Sequence, residues 1–268
     1  MAFFIARSRR PGRFMEWSYA ISGLLGGILV GVTGVGGGSL MTPLLVMVFG
    51  ISPSTAVGTD LLYAAATKAS GVWVHSRKDN VDWKAVRLLI LGSAPASLLT
   101  LGLLRSFKSL QSSYEPFIRY GLGVALVLTA IALLCGLRGR PCTLQRDDAV
   151  PPPHGLTIAL GALIGVLVTL SSVGAGALGT AVLIALYPKM PIPRIVGTDI
   201  AHAVPLTLLA GLGHLSLGHV NPSLLVNLLL GSIPGIWLGS HLNAHIPEKL
   251  SRPLLATLLL LIAAKLFF

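Results

Sequence analysis

The chain has 268 residues, of which 53% are hydrophobic and only 11% are charged, and its net charge is +11. Soluble domains carry about 25% charged residues, so this composition argues against a water-soluble enzyme. A spanning helix needs about 20 apolar residues, and several runs without Asp, Glu, Lys or Arg are long enough to supply one or two. The chain is therefore predicted to be an all-α polytopic membrane protein. The charge-free runs cover residues 17–59, 88–104, 120–137, 149–188 and 200–247.

The apolar segments fall into two halves of five. A basic leader, residues 1–16, comes before the first half, residues 17–137. A polar linker, residues 138–154, separates it from the second half, residues 155–268. The segments predict helices over 17–34, 39–50, 55–76, 85–104 and 116–137, and then over 155–172, 177–187, 194–217, 223–242 and 252–268.

Matching motifs show that the second half repeats the first. The motif Val35-Gly36-Gly37-Gly38 corresponds to residues 173–176 at an offset of 138, and Val57-Gly58-Thr59-Asp60 corresponds to residues 196–199 at an offset of 139. The second offset also relates Gly-Ser-x-Pro at residues 92–95 to the same motif at residues 231–234. Agreement over several blocks indicates a duplication.

The second segment of each half is too short to cross the membrane. Residues 39–50 make a helix of about 18 Å, whereas the hydrocarbon core is about 30 Å thick. Each short segment follows a glycine-rich stretch, which predicts a glycine break and a returning half-helix. Each half then crosses the membrane an odd number of times, so the two repeats should be inverted. Glycine-interrupted segments at matching positions of inverted repeats indicate the binding site of a secondary transporter.

The glycine-rich stretch also carries a family resemblance. Residues Gly26 to Gly38, followed by Pro43 and the Val-Gly-Thr-Asp motif at 57–60, resemble the TauE/SafE family of sulfite and organosulfonate exporters. The resemblance covers nearly the whole chain and implies a permease of the inner (plasma) membrane that exports small anions, among them sulfite. The second half departs from the pattern, with Ser172 and Ala175 where the first half has Gly34 and Gly37, so equal roles for the two halves are not implied.

The turns supply the candidate substrate-binding groups. Helix N-termini attract anions through unsatisfied N–H groups and the helix dipole, and neighbouring hydroxyls add donors. Lys68 is a lone cation deep in the third segment, either a counter-charge for an anion or a side chain that extends to the interface. Alternatively, the small residues only allow close helix packing. The candidate residues are Thr33, Gly36, Gly37, Gly38, Ser39, Thr42, Lys68, Ser171, Ser172, Gly174, Gly176 and Thr180.

Asp60 and Asp199 are candidate proton-coupling residues. Ionisable groups inside a membrane are costly and usually functional, although both aspartates could instead be helix N-caps. His202 lies three residues after Asp199, on the same helical face, and an Asp199–His202 pair would form a proton relay. The expected function is secondary transport, with export of small anions that is linked to protons.

Other functions remain as alternatives. A cation or metal-ion permease could use the histidines and both aspartates, and a membrane assembly or sensory subunit would transport nothing alone. The sequence has no Walker lysine motif, nucleophile elbow or metal-ligand spacing, so we expect no enzyme activity, cofactor or metal. The expected partners are a small anionic substrate and the lipid bilayer, with a homo-oligomer left open. Nucleic acid is not expected, because basic residues cluster in short loops beside lipid without interleaved aromatic residues.

Overall fold

The computed structural model describes residues 19–28, 41–107, 115–137, 154–243 and 248–267. These residues form helices close to the predicted positions, and the predicted all-α polytopic fold is confirmed. The leader and nearly all of the linker lie outside the described residues, so the domain boundaries remain predictions. The helices are α1 (Tyr19–Ile28), α2 (Met41–Met47), α3 (Pro53–Arg77), α4 (Trp83–Ser106), α5 (Glu115–Leu137), α6 (His154–Ser171), α7 (Ala177–Leu186), α8 (Ile192–Ser216), α9 (Pro222–Asn243) and α10 (Glu248–Phe267).

Five of these helices, α4, α5, α6, α8 and α9, are long and apolar enough to cross a membrane. Helix α3 has the same length as α8, 25 residues, but carries an aspartate and a lysine within its span. Large apolar side chains are exposed along α4 and α9, among them Leu99, Leu230 and Ile233. Such a surface is stable only against lipid or another apolar partner.

Helices α2 and α7 are short, as predicted. They contain 7 and 10 residues, which corresponds to about 10 Å and 15 Å, and neither can cross a hydrocarbon core of about 30 Å. The turn before α7 contains two residues in the left-handed region, Ser172 at φ 58° and Gly174 at φ 112°. Only glycine adopts such angles without cost, so Gly174 agrees with the predicted glycine break, whereas Ser172 adopts a left-handed angle without being glycine.

Glycines bring helices of the two halves into backbone contact. A Cβ atom at Gly161 of α6 would meet the carbonyl of Leu89 in α4, and one at Gly23 of α1 would meet the carbonyl of Leu228 in α9. The two contacts are related by the repeat offsets. Small residues at these positions let membrane helices approach closely.

Other inter-helix contacts recur in the same way. The contact of Gly165 with Ser93 corresponds to that of Gly27 with Ser232, and the contact of Gly92 with Ile158 corresponds to that of Gly231 with Ala20. In each case, a residue of one half contacts a residue of the other half. The counterparts of these two residues form the equivalent contact in the opposite direction. The two halves therefore exchange contacts reciprocally. Helix α3 of the first half also packs against its counterpart in the second half, α8.

Candidate transport site

Asp60 and Asp199 lie at equivalent positions two turns inside α3 and α8. Helix α3 begins at Pro53 after Ser52, and α8 begins at Ile192 after Pro191. Proline in the first turn suits a helix start, because its missing N–H has no intrahelical partner there. Both carboxylates are buried, at 0% and 3% exposure. The alternative interpretation of the aspartates as N-caps is therefore wrong.

Each aspartate is held by a threonine of the short helix in its own half. Thr42 Oγ1 of α2 donates to Asp60 Oδ2 at 2.5 Å, and Thr180 Oγ1 of α7 donates to Asp199 Oδ2 at 3.3 Å. The other carboxylate oxygen of each aspartate is buried without a hydrogen-bond partner among the described residues. Each aspartate therefore has one buried acceptor atom that no described residue uses.

Lys68 breaks this symmetry. It is buried in α3, two turns after Asp60, and its Nζ donates to the carbonyl oxygen of Ala175 in the turn before α7. Its ammonium interacts electrostatically with both Asp60 and Asp199. The equivalent residue, Thr207, donates within its own helix, to the carbonyl oxygens of Ala203 at 2.8 Å and Val204 at 3.3 Å. The ammonium of Lys68 is therefore a counter-charge for both carboxylates.

His202 belongs to the same cluster but does not bond to Asp199 in the described part of the chain. Its Nε2 lies 2.9 Å from Ser93 Oγ of α4, and its ring interacts electrostatically with Lys68. The equivalent residue, Tyr63, is buried with its hydroxyl near Ser232, the counterpart of Ser93. The structure thus places His202 beside the charged groups, but through α4 rather than through Asp199.

The turn before α7 uses its two serines differently. Ser171 Oγ accepts from Val173 N at 3.1 Å and donates to the Leu167 carbonyl at 2.5 Å, so this hydroxyl stabilises the turn. Ser172 Oγ lies beside the Asp60 carboxylate but forms no hydrogen bond of ordinary geometry with a described residue. The hydroxyl of Ser171 is thus used within the turn, whereas that of Ser172 lies beside the carboxylate.

Not every predicted site residue falls within the structure. Gly174 and Gly176 form the turn before α7, as predicted. The predicted site residues before α2 lie outside the described residues, so their roles remain predictions; they are Thr33, Gly36, Gly37, Gly38 and Ser39.

The sequence interpretation missed the role of the threonine in each Gly-Thr-Asp triplet. Thr59 Oγ1 accepts from the backbone N–H of Asn221 at 3.2 Å, and Thr198 Oγ1 accepts from that of Asp82 at 2.9 Å. Each bond joins a triplet to the corner before the fourth helix of the opposite half. The sequence did contain a sign of this role, because the whole Gly-Thr-Asp triplet is repeated in both halves. If only the aspartate mattered, the glycine and threonine before it would not need to be repeated.

Gly179 of α7 lies directly beside the Asp199 carboxylate. A methyl group at this position would overlap Asp199 Oδ1, so we expect Gly179→Ala to displace the carboxylate and weaken its bond to Thr180. Substrate flux in membrane vesicles should fall at least about tenfold, since a charge-assisted hydrogen bond contributes about 1.5–3 kcal/mol. The control is Gly102→Ala, where a methyl group would meet open space. Equal flux for both variants, at equal amounts in the membrane, would contradict the prediction.

Comparison with known proteins places this arrangement in a family. Residues 19–266 match the family described as "Sulfite exporter TauE/SafE". The chain is 41% identical over 255 residues to the "Probable membrane transporter protein YjnA" of Bacillus subtilis, covering 94% of this chain and 100% of the relative. A second relative of the same organism, "Probable membrane transporter protein YdhB", is 28% identical, with 88% and 96% covered.

More distant relatives bear the same description. A "Probable membrane transporter protein" of Methanocaldococcus jannaschii is 26% identical to this chain over 254 residues, covering 89% of this chain and 90% of the relative. No solved structure matches the chain. The family match over almost the whole length, with a long relative above 40% identity, identifies the molecule as a membrane transporter rather than an enzyme. The chain belongs to the TauE/SafE sulfite exporter family.

Proposed function

We propose that this protein is a secondary transporter that exports small anions across the plasma membrane, with sulfite and organosulfonates as its substrate class. The observation that carries the proposal is the buried Lys68 ammonium between two equivalent carboxylates, bonded to the glycine turn before α7. A buried ammonium is costly without a counter-charge, and when the acids are protonated an anion would supply that counter-charge. The substrate anion would bind beside Lys68, within reach of Ser172.

The charge balance of the site links anion binding to protons. With Asp60 and Asp199 both ionised, the three charged groups sum to −1 and repel an anion. One proton makes the sum zero and removes the repulsion, so a single bound proton lets a monoanion bind beside Lys68. Because low dielectric magnifies each of these interactions, the anion should bind to the protonated site and leave with the proton. Thr42 and Thr180 would orient the carboxyl groups in both states.

For an anion that leaves without a proton, the membrane potential would favour export. An inside-negative potential favours outward movement of an anion by about 2.3 kcal/mol per charge for each 100 mV. A monoanion that moves together with one proton carries no net charge, so the membrane potential would neither favour nor oppose its export. Export by either route needs no nucleotide hydrolysis.

We further propose that the two repeats are inverted in the membrane and that the substrate site lies at their interface. The reciprocal contacts between the halves fit a two-fold axis, and inverted repeats place this axis in the membrane plane. Single cysteines at the exposed, equivalent residues Lys84 and Ser223 should then react with an impermeant maleimide from opposite faces. The measurement is labelling in right-side-out and inverted vesicles. Labelling of both cysteines from the same face would contradict the proposal that the repeats are inverted.

Transport itself is tested with the purified protein in liposomes. Efflux of sulfite or of an alkanesulfonate should exceed that from empty liposomes, and Ni²⁺ should not be moved. Nickel flux without anion flux would favour the cation permease, and absence of flux for both would favour a non-transporting subunit. A liposome that contains the Lys68→Thr variant serves as the matched control.

A further inference from the structure

The corner between α3 and α4, residues 77–87 together with Arg194, concentrates positive charge at one face of the membrane. Helices α4 and α8 are both long enough to cross a membrane. Both begin here, since Arg194 Nη2 in the first turn of α8 lies 3.8 Å from Asp82 Oδ2 before α4. The corner therefore lies at the level of the lipid headgroups. Five basic residues against two acids, Asp79 and Asp82, give it a net charge of +3. The five basic residues, all exposed, are Arg77, Lys78, Lys84, Arg87 and Arg194.

Exposed tryptophans accompany the basic residues. Trp73 is 60% exposed, and Trp83 is 50% exposed. The Arg77 guanidinium carbon lies 4.1 Å from the centre of the Trp73 ring, one turn earlier on α3, and Arg87 Nε donates to the Trp83 carbonyl at 3.2 Å. Tryptophan is enriched at membrane–water interfaces, with its ring at the headgroup level. Each of these arginines thus lies next to a residue that is typical of the depth at which lipid phosphates are found.

The equivalent corner, between α8 and α9, shows that the fold itself does not need these charges. Its backbone follows the same pattern: the His75 carbonyl accepts from Asn80 N at 3.0 Å, and the His214 carbonyl accepts from His219 N at 2.9 Å. Residues 212–226 nevertheless contain no Asp, Glu, Lys or Arg. The basic residues and the tryptophans therefore serve a partner outside the chain, at one corner only. At the offset of 139, Trp73, Arg77, Lys78, Trp83, Lys84 and Arg87 correspond to Leu212, Ser216, Leu217, Pro222, Ser223 and Val226.

The helix surface that continues from this corner is apolar. Trp83, Arg87 and Leu91 lie on one face of α4 at intervals of four residues, and all three are exposed. Along the helix, Leu91 lies about 6 Å and Leu98 about 16 Å deeper than Arg87, and these leucines are 62% and 55% exposed. A cation above an apolar face matches a phospholipid, which has a phosphate above its acyl chains. A soluble anion would need the cation alone.

The same corner is joined to the start of α8. Asp82 N donates to Thr198 Oγ1 at 2.9 Å, and a Cβ atom at Gly197 would meet the Asn80 carbonyl. These two contacts connect the corner to the Gly-Thr-Asp triplet that ends in Asp199. A ligand that fixes the corner therefore also fixes this part of α8.

We propose that the α3–α4 corner binds an anionic phospholipid, with its phosphate against Arg77, Lys84 and Arg87 and its acyl chains along the exposed face of α4. The positive charge of the corner selects the headgroup, because basic residues near the membrane surface attract anionic lipids and gain little from zwitterionic ones. The bound lipid holds the corner against the first turns of α8. The inference is independent of the proposed transport function.

Binding is tested with the full chain in liposomes, by quenching of tryptophan fluorescence with phospholipids that are brominated in their acyl chains. Trp73 is kept, and the other three tryptophans, Trp17, Trp83 and Trp237, are replaced by phenylalanine. The affinity measured at Trp73 should be about fivefold higher for phosphatidylglycerol than for phosphatidylcholine, since one basic residue near an anionic surface contributes about 1 kcal/mol. Raising NaCl to about 1 M should reduce this preference, because salt screens exposed charges.

The equivalent corner supplies the matched control. Leu212→Trp, in a chain whose four native tryptophans are replaced by phenylalanine, should show equal affinity for the two lipids. The variant Arg77→Ser/Lys84→Ser/Arg87→Val copies the second half and should lower the preference at Trp73 to the same level. No preference at Trp73, or an equal preference at both corners, would overturn the proposal. Displacement of the lipid by inorganic phosphate beyond that by NaCl of equal ionic strength would also overturn it, because it would indicate a site for free anions.

Thermal unfolding in nanodiscs provides the second readout. A ligand that binds only the folded chain stabilises it, so phosphatidylglycerol should raise the Tm of the wild-type protein relative to phosphatidylcholine. This rise should exceed that of the variant Arg77→Ser/Lys84→Ser/Arg87→Val by about 2 °C. An equal rise for both chains would show that the lipid is not bound at this corner.

Discussion

Replacing Lys68 with threonine is expected to reduce substrate efflux at least about 100-fold while the protein still inserts into the membrane. Loss of the ammonium leaves Asp60 and Asp199 without a counter-charge and removes the donor to the Ala175 carbonyl. A factor of 100 corresponds to about 3 kcal/mol of lost substrate stabilisation, which is reasonable because breaking a buried charge interaction costs about 3–5 kcal/mol. Threonine is chosen because it occupies the equivalent position, Thr207.

The matched control moves the cation rather than removing it. In the double variant Lys68→Thr/Thr207→Lys, the ammonium returns at the equivalent position of α8. If residues 68 and 207 lie at equivalent positions relative to the bound substrate, efflux should be partly restored compared with Lys68→Thr alone. Lys68→Arg should retain part of the activity, since it keeps the charge but changes its geometry. Full activity of Lys68→Thr at normal abundance would show that Lys68 is only a structural residue.

Asn in place of Asp199 is expected to flatten the pH dependence of efflux. Wild-type efflux should rise as the pH falls on the loading side, because protonation of a carboxylate removes the negative charge that repels the anion. Asparagine copies the protonated acid and can still accept from Thr180. The variant should therefore bind the anion at high pH, and its efflux should vary little between about pH 5 and pH 8. Asp60→Asn should behave similarly, through Thr42.

The substrate in this experiment should be an alkanesulfonate, because its own charge stays constant over the pH range. Asp79→Asn, in the exposed turn after α3, is the control and should keep the wild-type profile. If Asp60→Asn and Asp199→Asn both keep that profile, the acids are not proton carriers. Their burial beside Lys68 would then serve only to hold α2 and α7 in place.

Local patterns in the sequence were sufficient for the framework of this protein. The charge-free runs predicted the membrane helices, because a membrane selects on the composition of each segment alone. The short segments that became α2 and α7 were equally predictable, because length and glycine content act locally. The duplication also drew attention to Asp60 and Asp199, since both repeats keep the triplet in which they lie.

The contacts between these residues follow from helix packing across the two halves. Lys68 bonds to a carbonyl 107 residues away in the chain, and Thr59 bonds to a backbone amide 162 residues away. His202 was expected beside Asp199 on its own helix, but its ring bonds to Ser93 of α4 instead. Helical periodicity shows which residues share a face, but not which neighbouring helix that face touches. The packing of α3 against α8 and of α4 against α6 determined that choice, through glycine contacts whose partners lie in the opposite half.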